Sequence, residues 1–144
     1  MTQEEKSILL KDLCARLPYG VMVLEDVDKK FDGGCISELV TFTEIKGEKY
    51  FLVRNSLTPV TVEEVRPYLR SMSSMTEKEI IEFWRMNCMN ERVDRGYLDK
   101  CVDCCLYFTK RAIDWLNANH FDHNNLIPLG LAIKVTEEIN PYKG

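Results

Sequence analysis

After Gly20 the apolar residues leave helical spacing and gather into three β-rich runs: Val21-Met22-Val23-Leu24, residues 35–45 and residues 49–54. Asp32-Gly33-Gly34 and Lys46-Gly47-Glu48 stand between them, with glycines that supply the positive φ of tight turns. The pattern predicts an antiparallel meander of three strands. On the second strand Ile36, Val40 and Phe42 share a face that Glu38 interrupts, which predicts a twisted sheet with one side partly wet.

Helical signals flank this block. Thr2 and Glu5 have capping-box spacing, and Ile8, Leu9, Leu13, Cys14 and Leu17 follow at helical steps until Pro18 and Gly20 end the run. Thr61 and Glu64 repeat the spacing, but Pro67 allows only a short helical piece before Pro67-Tyr68-Leu69-Arg70. Thr76 and Glu79 give a third box, with Met75 placed to staple onto Ile80. Ile80, Phe83, Trp84 and Cys88 form the buried stripe of that helix, and the charged run 90–96 reads as a loop.

A last helix is expected over 99–119, where Leu98, Cys101, Val102, Cys105, Phe108, Ala112, Trp115 and Leu116 draw one apolar stripe. Residues 131–135 look like a closing strand, and the tail from Pro141 onward should be loose. A chain of 144 residues is the size of one domain. The expected fold is therefore a single α+β domain over residues 1–144: an N-terminal helix, a three-stranded antiparallel meander, two further helices and a short C-terminal strand.

Composition removes several function classes. Nineteen Lys and Arg against 23 Asp and Glu give a formal charge of −4, which opposes non-specific attraction to phosphate backbones and argues against nucleic acid as the default partner. No apolar run approaches the ~20 residues that span a bilayer, so no membrane is implied. The first residues carry acids rather than the basic start of an export signal, and the expected location is cytoplasmic. Thiols stay reduced there, so six cysteines are no argument for disulfides.

Three of those thiols crowd into Cys101-Val102-Asp103-Cys104-Cys105. With His120 and His123 downstream, Cys101 and Cys104 have the ligand order of a two-Cys, two-His zinc site. An unbroken helix over 101–119 would hold Cys101 roughly 28 Å from His120, far beyond the separation of tetrahedral ligands. The same cysteines lack the preceding strand of a thiol–disulfide redox motif, and Cys101 and Cys105 fall on the apolar stripe. The phosphate loop, the dinucleotide glycine fingerprint and the G-x-S-x-G elbow are absent. Acid pairs such as Glu4-Glu5 and Glu63-Glu64 suit helix starts. The sequence argues against an enzyme and implies no metal and no cofactor.

What remains is binding. Arg66, Tyr68 and Arg70 cluster around Pro67, and His120 and Asp122 lie in His120-Phe121-Asp122-His123; these five are the candidate interaction residues. The expected function is that of a non-catalytic accessory protein that binds a protein partner or another copy of itself. The alternatives are a nucleic-acid-binding accessory protein using Arg66 and Arg70, and a thiol or zinc protein using Cys101 and Cys104.

Three stretches, KDLCARLPYGV at 11–21, VRPYLRSMSSMTEKE at 65–79 and DWLNANHFDHNNLIPLGLAI at 114–133, together resemble a family of small uncharacterised proteins that recurs in gut anaerobes and in their phages and mobile elements. The likeness covers about a third of the chain and implies a genomic setting, with no assigned activity, cofactor or catalytic residue. Ser71 stands where the family pattern has proline, and His123 where it has an aromatic residue.

Overall fold

The structure, a computed structural model, describes residues 1–25, 35–54, 59–87 and 108–143. Helix α1 spans Gln3–Arg16 and opens on the expected box, with Glu5 N–H donating to Thr2 Oγ1 (3.1 Å) and Thr2 N–H to Glu5 Oε2 (2.8 Å). It tightens into a 3₁₀ turn, Leu17–Tyr19, and stops at Gly20, whose φ of 69° lies in the left-handed region that favours glycine. The inward face of α1 holds Leu9 and Leu13, as the spacing predicts, and also Asp12 and Arg16.

Strands β1 (Met22–Glu25), β2 (Cys35–Ile45) and β3 (Glu48–Val53) form the expected antiparallel meander. The face assignment on β2 is different from the one expected. Between Leu39 and Thr41 the register slips by one residue, so Val40 and Thr41 together oppose Leu52. The extra residue resets the alternation: Ser37 and Leu39 before it and Phe42 after it turn toward the core, while Ile36 and Val40 point outward.

Thr61 and Glu64 do cap a short 3₁₀ turn, Val62–Glu64, but the residues that follow are a strand rather than an irregular connection. This strand, β4 (Val65–Leu69), pairs antiparallel with β1 and parallel with β5 (Ile133–Lys134), giving the order β3-β2-β1-β4-β5. Pro67 is tolerated within it because β5 reaches only Tyr68 and Leu69, so no partner on that side needs an N–H from residue 67. Leu9 and Leu13 of α1, with Leu126, Leu131 and Ala132, cover the inner face of this sheet.

Helix α2 (Glu77–Asn87) begins at the third box: Glu79 N–H donates to Thr76 Oγ1 (3.2 Å) and Thr76 N–H to Glu79 Oε1 (3.0 Å). Met75 and Ile80 are buried in one cluster, in keeping with the staple. Helix α3 is Lys110–Ala118, and an unbroken helix over 99–119 does not form. Thr109 is extended (φ −66°, ψ 159°): its hydroxyl accepts from Ala112 N–H and donates to Met86 O, and its own N–H donates to Asn87 Oδ1. Local side-chain bonds outcompete a further helical turn there and pin the start of α3 to the end of α2. Cys88, the charged run 90–96 and the thiols Cys101, Cys104 and Cys105 lie outside the described residues. Phe83, Trp84, Phe108, Trp115 and Phe121 fill the space between α2 and α3, with ring centroids 5.3–6.0 Å apart.

The tail is anchored, contrary to expectation. The Tyr142 hydroxyl accepts from Met22 N–H (3.1 Å) and donates to Tyr68 O (2.7 Å), which bridges β1 and β4 where their ladder ends. Among the described residues, no helix is long and apolar enough to cross a membrane.

Candidate functional site

Four of the five candidate residues come together at one junction. Arg70 N–H donates to His120 O (2.7 Å) and Asp122 N–H to Arg70 O (2.8 Å), so the end of β4 zips onto the turn after α3. Tyr68 joins through Tyr142, whose ring lies flat on His120 with centroids 3.7 Å apart and planes 8° from parallel. Arg66 stays apart, exposed on the outer face of β4.

Most of this junction is closed to a partner. Tyr68 is 4% exposed and Asp122 5% exposed, so neither can be a contact residue as expected. The Asp122 carboxylate is spent on its own turn, accepting from Leu126 N–H (2.8 Å) and Ile127 N–H (2.9 Å). Arg70 is committed as well: its guanidinium makes two 2.8 Å bonds to Glu79 and stands 4.2 Å from the centre of the Phe121 ring. A nucleic-acid reading that needs Arg66 and Arg70 free therefore keeps only Arg66.

Beneath the junction lies a polar cluster that periodicity did not single out. Arg16 Nε and Nη2 donate to Asp12 (2.7 and 3.1 Å), and Nη2 also donates to Phe121 O (2.7 Å). Asn124 donates to the same Asp12 carboxylate (2.8 Å). His123 Nε2 is 2.8 Å from Asn117 Oδ1, and since an amide oxygen only accepts, the ring presents Nε2–H. The signal available in the sequence was an acid and a base four residues apart on the stripe that carries Leu9 and Leu13, which a hydrophobic pattern passes over.

Burial, reinforced by the charges of Arg16 and Arg70, pulls His120 down to about 4. Burial and Arg16 also bring His123 to about 4, against the opposing pull of Asp12 and Asp122. Both imidazoles are thus neutral near pH 7. Among the described residues neither is hydrogen-bonded to a thiol or hydroxyl, and no group of three or more His, Cys, Asp and Glu could hold a metal ion. Cys14 is half-buried, and burial raises its thiol above the ordinary range, away from nucleophilic use. A cleft of about 390 Å³ between the start of α1, the β2–β3 hairpin and residues 61–63 is spanned by the Lys6–Glu63 ion pair.

The outer face of the sheet is the other candidate. Register places Ile36, Leu24 and Arg66 in one row across β2, β1 and β4, and Glu38 beside Met22 in the next. Glu38 accepts from Arg54 Nε (2.7 Å). Ile36 is 49% exposed and Val40 45% exposed. Glu38 stands between Ile36 and Val40 on this face, so exposed aliphatics and charged groups are interleaved.

Compared with protein-family models, with curated proteins and with solved structures, the chain matches none of them.

Proposed function

We propose that this protein is a non-catalytic accessory protein that binds a protein partner, and that the partner docks on the outer face of the sheet. The exposure of Ile36 and Val40 on one face of β2 carries the reading. Single exposed aliphatics are ordinary, but here Ile36 and Leu24 adjoin in one row with Arg66 at its end, and the Glu38–Arg54 pair stands between that row and Val40. Exposed apolar residues bordered by charged ones are common at protein interfaces. A cytoplasmic location and a setting in phages or mobile elements belong to the same proposal; the latter rests on the resemblance of three stretches alone.

The test is the double substitution Ile36→Lys and Val40→Lys. Circular dichroism and the melting midpoint should stay near wild type, because both side chains face solvent. Affinity purification from the native host should lose the stoichiometric partner seen with wild type, and sedimentation velocity should lose any self-association. A variant that keeps the same partner in the same ratio would remove this face from the proposal.

A further inference from the structure

We infer that residues 136–143 form a displaceable strap, and that Tyr142 fills a slot selective for a phenol ring, the side chain of a tyrosine. The walls of the slot come from three elements. Met22 N–H from β1 and Tyr68 O from β4 both point at the hydroxyl, one donating and one accepting. His120, from the turn after α3, supplies a flat stacking surface.

Only a group that accepts and donates at the end of an aromatic ring satisfies all three. Phenylalanine would keep the stack but leave a backbone N–H and a backbone C=O without their partner. An aliphatic chain would lose the stack as well.

The strap itself is thinly held. Val135 N–H donates to Leu69 O. From Thr136 onward, the backbone bonds are local: Thr136 N–H to Ile139 O, Ile139 N–H to Thr136 Oγ1, Tyr142 N–H to Asn140 Oδ1 and Lys143 N–H to Asn140 O. Among the described residues, Tyr142 is the one hydrogen-bonded anchor that ties 136–143 to the rest of the chain. Glu137, Glu138 and Ile139 are exposed. A segment with one anchor opens at a fraction of the global unfolding free energy, so its place can be taken by a tyrosine of another chain. The inference is independent of the partner proposed for the outer sheet face.

The probes are p-cresol, which carries the tyrosine ring and hydroxyl, and toluene, which lacks the hydroxyl. Tyr142→Ala should melt lower than wild type. In that variant p-cresol should restore several degrees and toluene at equal concentration less than half as much, while wild type shows no gain. Wild type gives a second readout that needs no variant. With p-cresol in excess, amide exchange over 136–143 should rise severalfold while the core residues 9–13 are unaffected, and toluene should leave both unchanged. Equal effects of the two compounds in the variant, or no selective rise of exchange in wild type, would overturn the slot.

Discussion

Arg16 grips Asp12 one helical turn earlier through bonds of 2.7 and 3.1 Å, with both side chains out of solvent. The pair sits on the inward stripe of α1, where an apolar residue would be the simpler solution. Its use is connection, since the same guanidinium reaches Phe121 O and the same carboxylate receives Asn124. Through it, α1 is fastened to the turn after α3 that also holds β4.

Asp12→Ala should therefore be among the costliest single changes in the chain. It strands a buried guanidinium and frees the Asn124 amide, and breaking one partner of a buried pair costs about 3–5 kcal/mol. Urea unfolding followed by tryptophan fluorescence measures the loss. A change below about 1 kcal/mol would mean that water reaches Arg16 and that the pair is not the fastener described.

Acidification should weaken the fold before carboxylates matter. His120 and His123 titrate near 4 in the fold and near 6.5 in the unfolded chain. Between those values the unfolded chain binds more protons, so stability is full above about pH 6.5 and falls as pH drops toward 4. His120→Asn combined with His123→Gln should flatten the urea midpoint between pH 6.5 and 5. If wild type and variant keep the same slope there, the histidines are not held neutral.

Glu79 has two roles, capping α2 at Thr76 and holding Arg70. Burial works to raise its carboxyl, and the bonds from Arg70 and Thr76 outweigh it and bring the group below its ordinary value. Its contribution is present above the unfolded value near 4.5 and is lost as pH falls through the lower folded one. Glu79→Ala should cost about 2 kcal/mol, and Glu79→Gln less, because the amide still accepts from Thr76 N–H. Equal losses in chemical denaturation would assign the whole effect to charge and none to the cap.

Gly20→Ala should destabilise more than Gly130→Ala. Both glycines have positive φ, 69° and 74°, which costs a side chain about 1–2 kcal/mol. At Gly20 a Cβ would also come within 3.2 Å of Glu38 Oε1, a carboxylate held by Arg54, whereas at Gly130 nothing lies within 4 Å. Identical melting midpoints for the two variants would show that Glu38 yields freely.

Local chemistry was legible where it is local in cause. Three capping boxes, the end of α1 at Gly20 and the hairpin at Lys46-Gly47-Glu48 depend on residues within a few positions of one another, and each is found where the spacing puts it. Strand β4 was hidden because Pro67 reads as a breaker, and only the short reach of β5 makes it harmless. The outward turn of Ile36 and Val40 was hidden because a bulge is set by how two strands register, which neither strand encodes alone.

By itself, then, the sequence determined the class of fold, the order of most elements and the places where α1 and α2 begin, because capping and turn formation are settled by neighbours along the chain. Tertiary structure decided which side of β2 meets the core, that Tyr68 and Asp122 are interior, and that Arg16, His120 and Tyr142 form one junction. Those outcomes depend on pairing between segments as far apart as residues 12 and 124, and burial of a polar group becomes visible only once its partner has been brought to it.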